Sequence, residues 1–159
     1  MMTNKELSAQ IKKDLKEAGY KAREISVKVR DAGYDTAVHC TVKVPTISRK
    51  AVEEIVKRYE EIDRDERTGE ILQGCNIYAF VEYDYGVFDD VAQQFQDLAA
   101  QALASTQDVS EILPGLFLIN AQGWHEIRQS GQYGGYRVSG AGELSKYIYK
   151  FHEFQDIAA

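Results

Sequence analysis

Two runs of alternating apolar and polar residues near the N-terminus constrain the fold of this chain more than any other feature. Residues 24–30 place isoleucine or valine at every second position, and residues 38–44 place valine or cysteine in the same way. Because successive side chains of a β-strand point to opposite faces, each run predicts a strand with one buried face. Turn-forming residues at 31–33 separate the two runs, so a hairpin is expected.

Helical periodicity and further strand patterns follow along the rest of the chain. Thr3 and Glu6 have the spacing of a capping box, which marks the start of a first helix. The predicted helices cover about residues 4–18, 49–62, 88–103 and 143–154. Further strands are predicted at about residues 76–85, 116–120, 124–128 and 135–139. The first of these begins with apolar residues on both faces, which favours a more buried position in its sheet. A short capped turn is predicted at 108–111.

The order of these elements indicates the fold class. Helices that are grouped between short strands, rather than alternating with them one for one, are typical of an α+β fold. We expect antiparallel sheets with helices packed on one face, in the order α-β-β-α-β-α-β-β-β-α. A chain of 159 residues is long enough to bury its own core. The expected organisation is a single compact domain, or two packed halves covering residues 1–86 and 87–159.

The composition predicts a protein of the cell interior. Two cysteines are too few for a disulfide framework, and no apolar run approaches the ~18 residues of a membrane-spanning helix. No apolar signal region follows the N-terminus. We therefore expect a cytoplasmic protein with free thiols and no contact with a membrane.

The most densely charged stretch, IDRDERTGEILQGCN at residues 62–76, invites a test for metal binding. A calcium-binding loop requires an oxygen donor at its fifth position, glycine at its sixth and a bidentate glutamate at its twelfth. Counted from Asp63, those positions hold Arg67, Thr68 and Gly74. The stretch is therefore expected to form a turn that binds no metal ion.

Catalytic and cofactor motifs are not found elsewhere in the sequence. The glycines at 140–142 lack both the third glycine of a dinucleotide fingerprint and the Gly-Lys-Ser/Thr of a phosphate-binding loop. His39 and Cys40 are neighbours in a predicted strand, so their side chains point to opposite faces and cannot act as a base–nucleophile pair. We expect no cofactor and no catalysis. An enzyme or nucleotide-binding protein with a pocket assembled only in three dimensions stays an alternative.

Charge is distributed unevenly along the chain. Residues 1–58 contain 13 lysines and arginines against 8 acids, whereas residues 59–159 contain 6 against 17. A surface rich in acids favours binding to a protein with a basic surface, because complementary charge steers association. The residues predicted to form this acidic surface are Glu60, Glu61, Asp63, Asp65, Glu66, Glu82, Asp84, Asp89 and Asp90.

An alternative binding surface lies on the predicted hairpin, on the face opposite its apolar residues. Nucleic-acid-binding sheets combine cations with exposed aromatic rings that stack on bases. Tyr78 and Phe80 of the next strand are the candidates for such rings. The polar residues predicted to contact nucleic acid are Lys28, Arg30, His39 and Lys43.

Two segments resemble a known family. KELSAQIKKDLKEAGYKAREISVKV at residues 5–29 and VEEIVKRYEEIDRDERTGEILQGCNIYAFVEYDY at residues 52–85 are similar to a large polyvalent protein-associated domain of phages and conjugative elements. The similarity covers about residues 4–85, and Cys75 stands where that family is expected to have glycine. The resemblance implies a protein that is carried by mobile DNA in a bacterial host, and our leading expectation is a non-enzymatic accessory protein of a phage or mobile element. It would bind a host or element-encoded protein and counter host defence, in the manner of anti-restriction or anti-CRISPR proteins.

Overall fold

A computed structural model describes residues 1–159, and the chain divides into two units, Met1–Val87 and Phe88–Ala159. Helices and two sheets are present, which confirms the α+β class. The helices are α1 (Asn4–Glu17), α2 (Arg49–Val56), α3 (Asp89–Ala92), α4 (Gln96–Ala104) and α5 (Ala141–Phe154). The strands are β1 (Ile25–Ala32), β2 (Asp35–Val42), β3 (Ile77–Tyr83), β4 (Val109–Leu113), β5 (Leu116–Ala121), β6 (Trp124–Gln129) and β7 (Tyr136–Val138). None of the helices combines the length and the hydropathy needed to cross a bilayer.

The first unit contains a three-stranded sheet in the order β1-β2-β3. The predicted hairpin is present, because β1 and β2 pair antiparallel from Ile25–Val42 to Ala32–Asp35 around a two-residue loop. Gly33 opens that loop with a φ of +71°, a conformation that glycine adopts without strain. The pairing of β2 with β3 is parallel, so the expectation of purely antiparallel sheets was wrong here. A crossover through α2 makes it possible, since parallel strands need a long connection.

Both helices of the first unit pack on the same face of this sheet, as predicted. The shared core contains residues of α1, of α2 and of the alternating positions of all three strands. Its members include Leu7, Ile11, Leu15, Val27, Val38, Cys40, Val42, Val52, Ile55, Val56, Ala79 and Val81. No helix of this unit covers the opposite face, where Lys28, Arg30, Phe80 and Glu82 are exposed.

The boundaries of the first-unit helices differ in part from the prediction. The capping box at the start of α1 is formed, with the Glu6 backbone N–H donating to the Thr3 hydroxyl at 3.2 Å. The second helix is shorter than expected, because α2 ends at Val56 and only a 3-10 turn continues to Tyr59. Glu60 then has an extended backbone, with a ψ of 123°, which ends the helical path before Ile62.

The position of β3 also differs from the prediction. Apolar residues on both faces suggested a more buried strand, but β3 lies at the edge of the sheet and β2 is central. Burial on one face by α1 and α2 accounts for Ala79 and Val81, whereas Phe80 on the other face is 43% exposed. The apolar residue Phe80 on the second face therefore did not indicate that this face is buried.

The second unit contains an antiparallel sheet in the order β4-β5-β6-β7. Residues 109–113, of which the first part was expected to be a capped turn, form strand β4. The long helix predicted at 88–103 is instead interrupted by a 3-10 turn at Gln93–Phe95. Its residues pack chiefly on α5 rather than on a sheet, since the ring of Phe88 contacts Tyr149 and that of Phe95 contacts His152.

Candidate functional site

The uncovered face of the β1-β2-β3 sheet brings residues of all three strands together. The strand register aligns them in three rows across the sheet, because side chains at alternate positions share a face. We call this surface the open sheet face. Its rows are Lys28, His39 and Phe80; Arg30, Ala37 and Tyr78; and Ser26, Thr41 and Glu82.

An aromatic pair lies at the centre of the open sheet face. The rings of His39 and Phe80 are stacked, with centroids 5.1 Å apart and an interplanar angle of 20°. The Nη2 atom of Arg30 lies 3.3 Å from Nε2 of His39, and arginine can only donate in such a contact. Phe80 therefore presents an exposed ring that stacks on His39, and the cations Lys28 and Arg30 lie on β1, on the other side of His39.

The basic residues predicted for nucleic-acid binding are largely placed on this face. Lys28 and Arg30 are exposed on β1, and His39 is half-buried between β1 and β3. Lys43 follows the last residue of β2, where its backbone N–H donates to the Glu24 carbonyl at 2.8 Å. Three of the four residues thus share one surface, and Lys43 extends it beyond the strand end.

The acid-rich stretch at residues 62–76 forms a loop, which we call the acid-rich loop. It is held together by Asn76, a residue that was not among the predicted site residues. Asn76 is buried, and its side-chain Oδ1 accepts a hydrogen bond from the Asp63 N–H at 2.7 Å. Its Nδ2 donates to the carbonyl of Leu72 at 2.7 Å and to Oδ1 of Asp35 at 3.1 Å. In the sequence, Asn76 was visible only as a polar residue at the end of the charged stretch. Its role in the structure is to hold the loop together.

Two of the predicted acids serve the loop and the sheet. The Oδ1 atom of Asp65 accepts from the Thr68 N–H at 2.7 Å and from the Arg67 N–H at 2.9 Å, and these bonds lower the pKa of Asp65. The Oε2 atom of Glu60 accepts from the Ala79 N–H at 3.0 Å, a group at the edge of β3. One oxygen of each carboxylate is therefore engaged in contacts within the fold.

The pKa of Glu60 records the balance of these contacts. Burial raises the pKa of its carboxyl, but hydrogen bonds from Lys57 and Ala79, together with the charge of Lys57, outweigh that effect. The net result is a pKa below the ordinary 4.5. Glu60 is therefore ionised in the folded protein at neutral pH and acts as an acceptor for the edge of β3.

The remaining acids of the predicted surface have different environments. Glu61, Asp63 and Glu66 are exposed on the loop, and Glu82 belongs to the open sheet face. Asp84 accepts from the N–H of the next residue at 3.1 Å. Asp89 and Asp90 belong to the second unit, at the start of α3. Asp89 is also 2.8 Å from the ammonium of Lys146.

Side chains that supply metal-binding or nucleophilic chemistry do not cluster. No group of three or more His, Cys, Asp or Glu side chains is arranged to hold a metal ion. Burial raises the pKa of the Cys40 thiol to about 11, so this cysteine stays protonated at neutral pH. Cys75 is exposed and lies on the loop with a φ of +64°.

A groove beside the sheet was missed by the sequence analysis. It lies between the C-terminal half of α1 and the start of β1, with a volume of about 1050 Å³. We call it the lysine groove. Its cationic residues are Lys12, Lys13, Lys16, Lys21 and Lys28. The lysine-rich helix was visible in the sequence, but its placement along the outer edge of β1 was not.

Comparison of this chain with protein-family models, curated proteins and solved structures found no match, so the resemblance to a polyvalent protein-associated domain stays a prediction.

Proposed function

We propose that the first unit is a module that binds single-stranded nucleic acid on the open sheet face. The observation that carries this proposal is the exposed Phe80 ring stacked on His39, which in turn lies next to Lys28 and Arg30 of β1. The flat ring surface accepts an unpaired base, and the two cations neutralise adjacent phosphates. We thus favour nucleic-acid binding, the alternative expected from the sequence, over protein binding through the acidic surface.

The physical basis is the way in which sheets bind unpaired strands. An exposed base stacks on an aromatic side chain with a gain of roughly 1–3 kcal/mol, whatever its identity, because every base has a π-face. Tyr78 lies in the neighbouring row, two residues before Phe80, and offers a second, half-buried ring. We therefore expect the face to hold about two bases with little preference for sequence.

Duplex DNA fits this surface less well than a single strand. Bases in a duplex are read through the major groove by a helix or a two-stranded ribbon that projects into it. The open sheet face is formed by three adjacent strands, and its aromatic rings stack only on bases that are already unpaired. A preference for single strands over duplex of equal length is therefore part of the proposal.

Fluorescence anisotropy with a labelled 12-nucleotide oligothymidine tests the proposal directly. Phe80→Ala should raise the Kd about 5- to 100-fold, as the loss of one stacking ring implies. Tyr85→Ala is the matched control, because Tyr85 is fully exposed but follows β3 and lies outside the open sheet face. Failure of the parent protein to bind the oligonucleotide at low salt would refute the proposal, as would equal binding by the Phe80 variant.

Protein binding through the acid-rich loop is the second candidate function, and a separate observation favours it. Ile71 and Leu72 on the loop are 46% and 43% exposed, and Tyr34 in the turn between β1 and β2 is 80% exposed. The Cys75 N–H donates to the Tyr34 carbonyl at 2.9 Å, which joins the end of the loop to the turn between β1 and β2. Apolar anchors with a charged rim are the usual anatomy of a protein interface.

This second candidate requires a basic partner, because Glu61, Asp63 and Glu66 are exposed on the same loop as Ile71 and Leu72. Its test is titration of the protein with a labelled lysine-rich peptide, comparing the parent with a Glu61→Lys, Asp63→Lys, Glu66→Lys variant. We expect the variant to lose binding. The association with mobile DNA and with evasion of host defence rests on the sequence resemblance alone.

A further inference from the structure

The lysine groove carries a charge that the surrounding residues leave largely uncompensated. Lys13 is 3.9 Å from Glu17, and both side chains of that pair are exposed. No carboxylate lies within 4.0 Å of the ammonium groups of the other four lysines. A concave, positively charged surface concentrates its field, so the groove is suited to an anionic ligand.

The acids nearest in sequence have other contacts. The Glu24 carboxylate accepts the backbone N–H of Lys21 at 2.8 Å, and the Asp14 carboxylate accepts hydrogen bonds from Gln10 and from the Tyr59 hydroxyl. These contacts position both carboxylates within the fold. The lysine ammonium groups therefore remain available to a ligand.

The groove and the open sheet face meet at β1, where they share Ser26 and Lys28. Lys28 belongs to both surfaces, since it lines the groove and occupies the same row as His39 and Phe80. β1 is the outer strand of the sheet and forms one wall of the groove. A chain that leaves the Phe80 ring can therefore cross the sheet, pass Lys28 and enter the groove.

The charges at the two ends of β1 give this path a direction. The lysine groove lies at the start of β1, where Ile25 and Val27 line it. The opposite end of the strand adjoins Tyr34, which is hydrogen-bonded to the acid-rich loop. A polyanion is attracted to the first end of β1 and repelled from the second. We therefore expect the backbone of a bound strand to cross the sheet at Lys28 and to turn toward the groove rather than toward the acid-rich loop.

We infer that the lysine groove holds the sugar–phosphate backbone of the strand whose bases stack on the open sheet face. This inference rests on the proposed function and deepens it, because it specifies a ligand longer than the two or so bases that the sheet can hold. A short oligonucleotide would contact only the open sheet face. A longer one would occupy both surfaces, and its affinity would depend more steeply on salt.

An acidic peptide is the competing occupant, because the outer edge of β1 could accept an added strand. The observation that favours nucleic acid is the continuity with the aromatic pair, which a peptide strand along β1 would not use. Binding of a labelled oligoglutamate to the lysine groove, in the absence of oligonucleotide binding there, would overturn the inference.

The test compares oligothymidines of 4 and 12 nucleotides by fluorescence anisotropy over a range of salt concentrations. The groove variant carries Lys12→Gln, Lys13→Gln, Lys16→Gln and Lys21→Gln, and it leaves Lys28 in place because that residue also belongs to the open sheet face. A charge-matched control removes four exposed cations outside both surfaces. Its substitutions are Lys5→Gln, Lys50→Gln, Arg58→Gln and Arg67→Gln.

For the 12-nucleotide strand, we expect the groove variant to lose at least about tenfold in affinity and the control to lose much less. The slope of log K against log salt should fall by about 3, since each phosphate contact on a single strand contributes about 0.7. The 4-nucleotide strand should bind both variants almost as it binds the parent. Thermal unfolding followed by circular dichroism establishes that each variant is folded.

The outcomes separate this inference from the function on which it rests. If the groove variant binds the 12-nucleotide strand like the parent while Phe80→Ala still weakens binding, the inference is wrong and the proposed function stands. If neither length binds the parent protein, both are wrong. If the groove variant and the control lose equal affinity, the effect is one of net charge and the inference is again refuted.

Discussion

The side-chain amide of Asn76 donates to the carboxylate of Asp35 at 3.1 Å, and this contact joins the end of the acid-rich loop to the start of β2. The Asn76 backbone N–H donates to the same carboxylate oxygen at 3.0 Å. Its carbonyl accepts the N–H of Thr36 at 2.8 Å. One buried residue thus fixes the loop and sets the entry of β3 beside β2, so the charged stretch is held by a polar centre rather than by its charges.

Replacing Asn76 with alanine should therefore destabilise the first unit by about 2–3 kcal/mol. The substitution removes the part-buried hydrogen bonds from the Asn76 side chain to the Asp63 N–H, the Leu72 carbonyl and the Asp35 carboxylate, and a hydrogen bond of this kind contributes about 0.5–1.5 kcal/mol. Urea unfolding measures the change. Gln73→Ala, an exposed position of the same loop, is the control and should lie within about 0.5 kcal/mol of the parent. An Asn76 variant as stable as the control would show that the contacts are dispensable.

Cys75 supplies a second prediction, because its backbone has a φ of +64°. A residue with a Cβ atom pays roughly 1 kcal/mol or more in this left-handed region, whereas glycine pays no such penalty but loses more entropy on folding. We expect Cys75→Gly to raise the free energy of unfolding by about 0.5–1 kcal/mol. Glycine is also the residue that the family resemblance implies at this position.

The control for this experiment is Cys75→Ala, which keeps the Cβ atom and removes only the exposed thiol. Its stability should match that of the parent in urea. A glycine variant that is less stable than the alanine variant would mean that the strain at this position is smaller than the entropy that glycine adds to the unfolded chain.

Glu60 gives the third prediction, which concerns pH. The pKa of Glu60 is lower in the folded protein than its ordinary 4.5, so its carboxylate stabilises the fold fully above about pH 4.5 and loses that contribution as the pH falls through the lowered value. The stability difference between the parent and Glu60→Gln should therefore be largest near neutral pH and shrink below pH 4.5. Urea unfolding at a series of pH values measures it. A difference that grows on acidification would contradict the hydrogen bonds assigned to this carboxylate.

The sequence was most informative where structure depends on near neighbours. The capping box of α1 joins Thr3 to Glu6, the β1–β2 hairpin lies within the continuous stretch 25–42, and both were predicted. The parallel pairing of β3 with β2 joins Thr36 to Ile77, and alternation within a strand carries no information about the direction of its neighbour. The interruption at Gln93–Phe95 was likewise hidden, since the apolar stripe of the sequence continues through it.

The candidate site was predicted only in part, because local alternation was visible in the sequence and the pairing of distant segments was not. Alternation placed Lys28 and Arg30 on the face opposite the core, and it marked Phe80 as a possible partner on the next strand. The stacking of His39 on Phe80 depends on the parallel register of β2 and β3, which could not be predicted from the alternation within either strand. The lysine groove required α1 to lie along the outer edge of β1, a tertiary relationship between segments that are each regular on their own.

Glu82 distinguishes the two candidate functions with a single substitution. It belongs to the acidic surface predicted from the sequence, yet it lies on the open sheet face two residues after Phe80. A carboxylate about 5–8 Å from a phosphate repels it, in water, by an amount that corresponds to about a two- to fivefold change in affinity. Glu82→Gln should therefore strengthen the binding of oligothymidine, and more so at low salt, where screening is weaker.

The matched control for that measurement is Glu70→Gln, an exposed acid of the loop that lies outside the open sheet face. It should leave the affinity for the oligonucleotide nearly unchanged at moderate salt, because charges separated by more than a Debye length are largely screened. If Glu82 instead forms part of a surface for a basic protein, Glu82→Gln weakens binding of a lysine-rich peptide and does not alter binding of the oligonucleotide. That result would favour binding of a basic protein over binding of nucleic acid as the function of this protein.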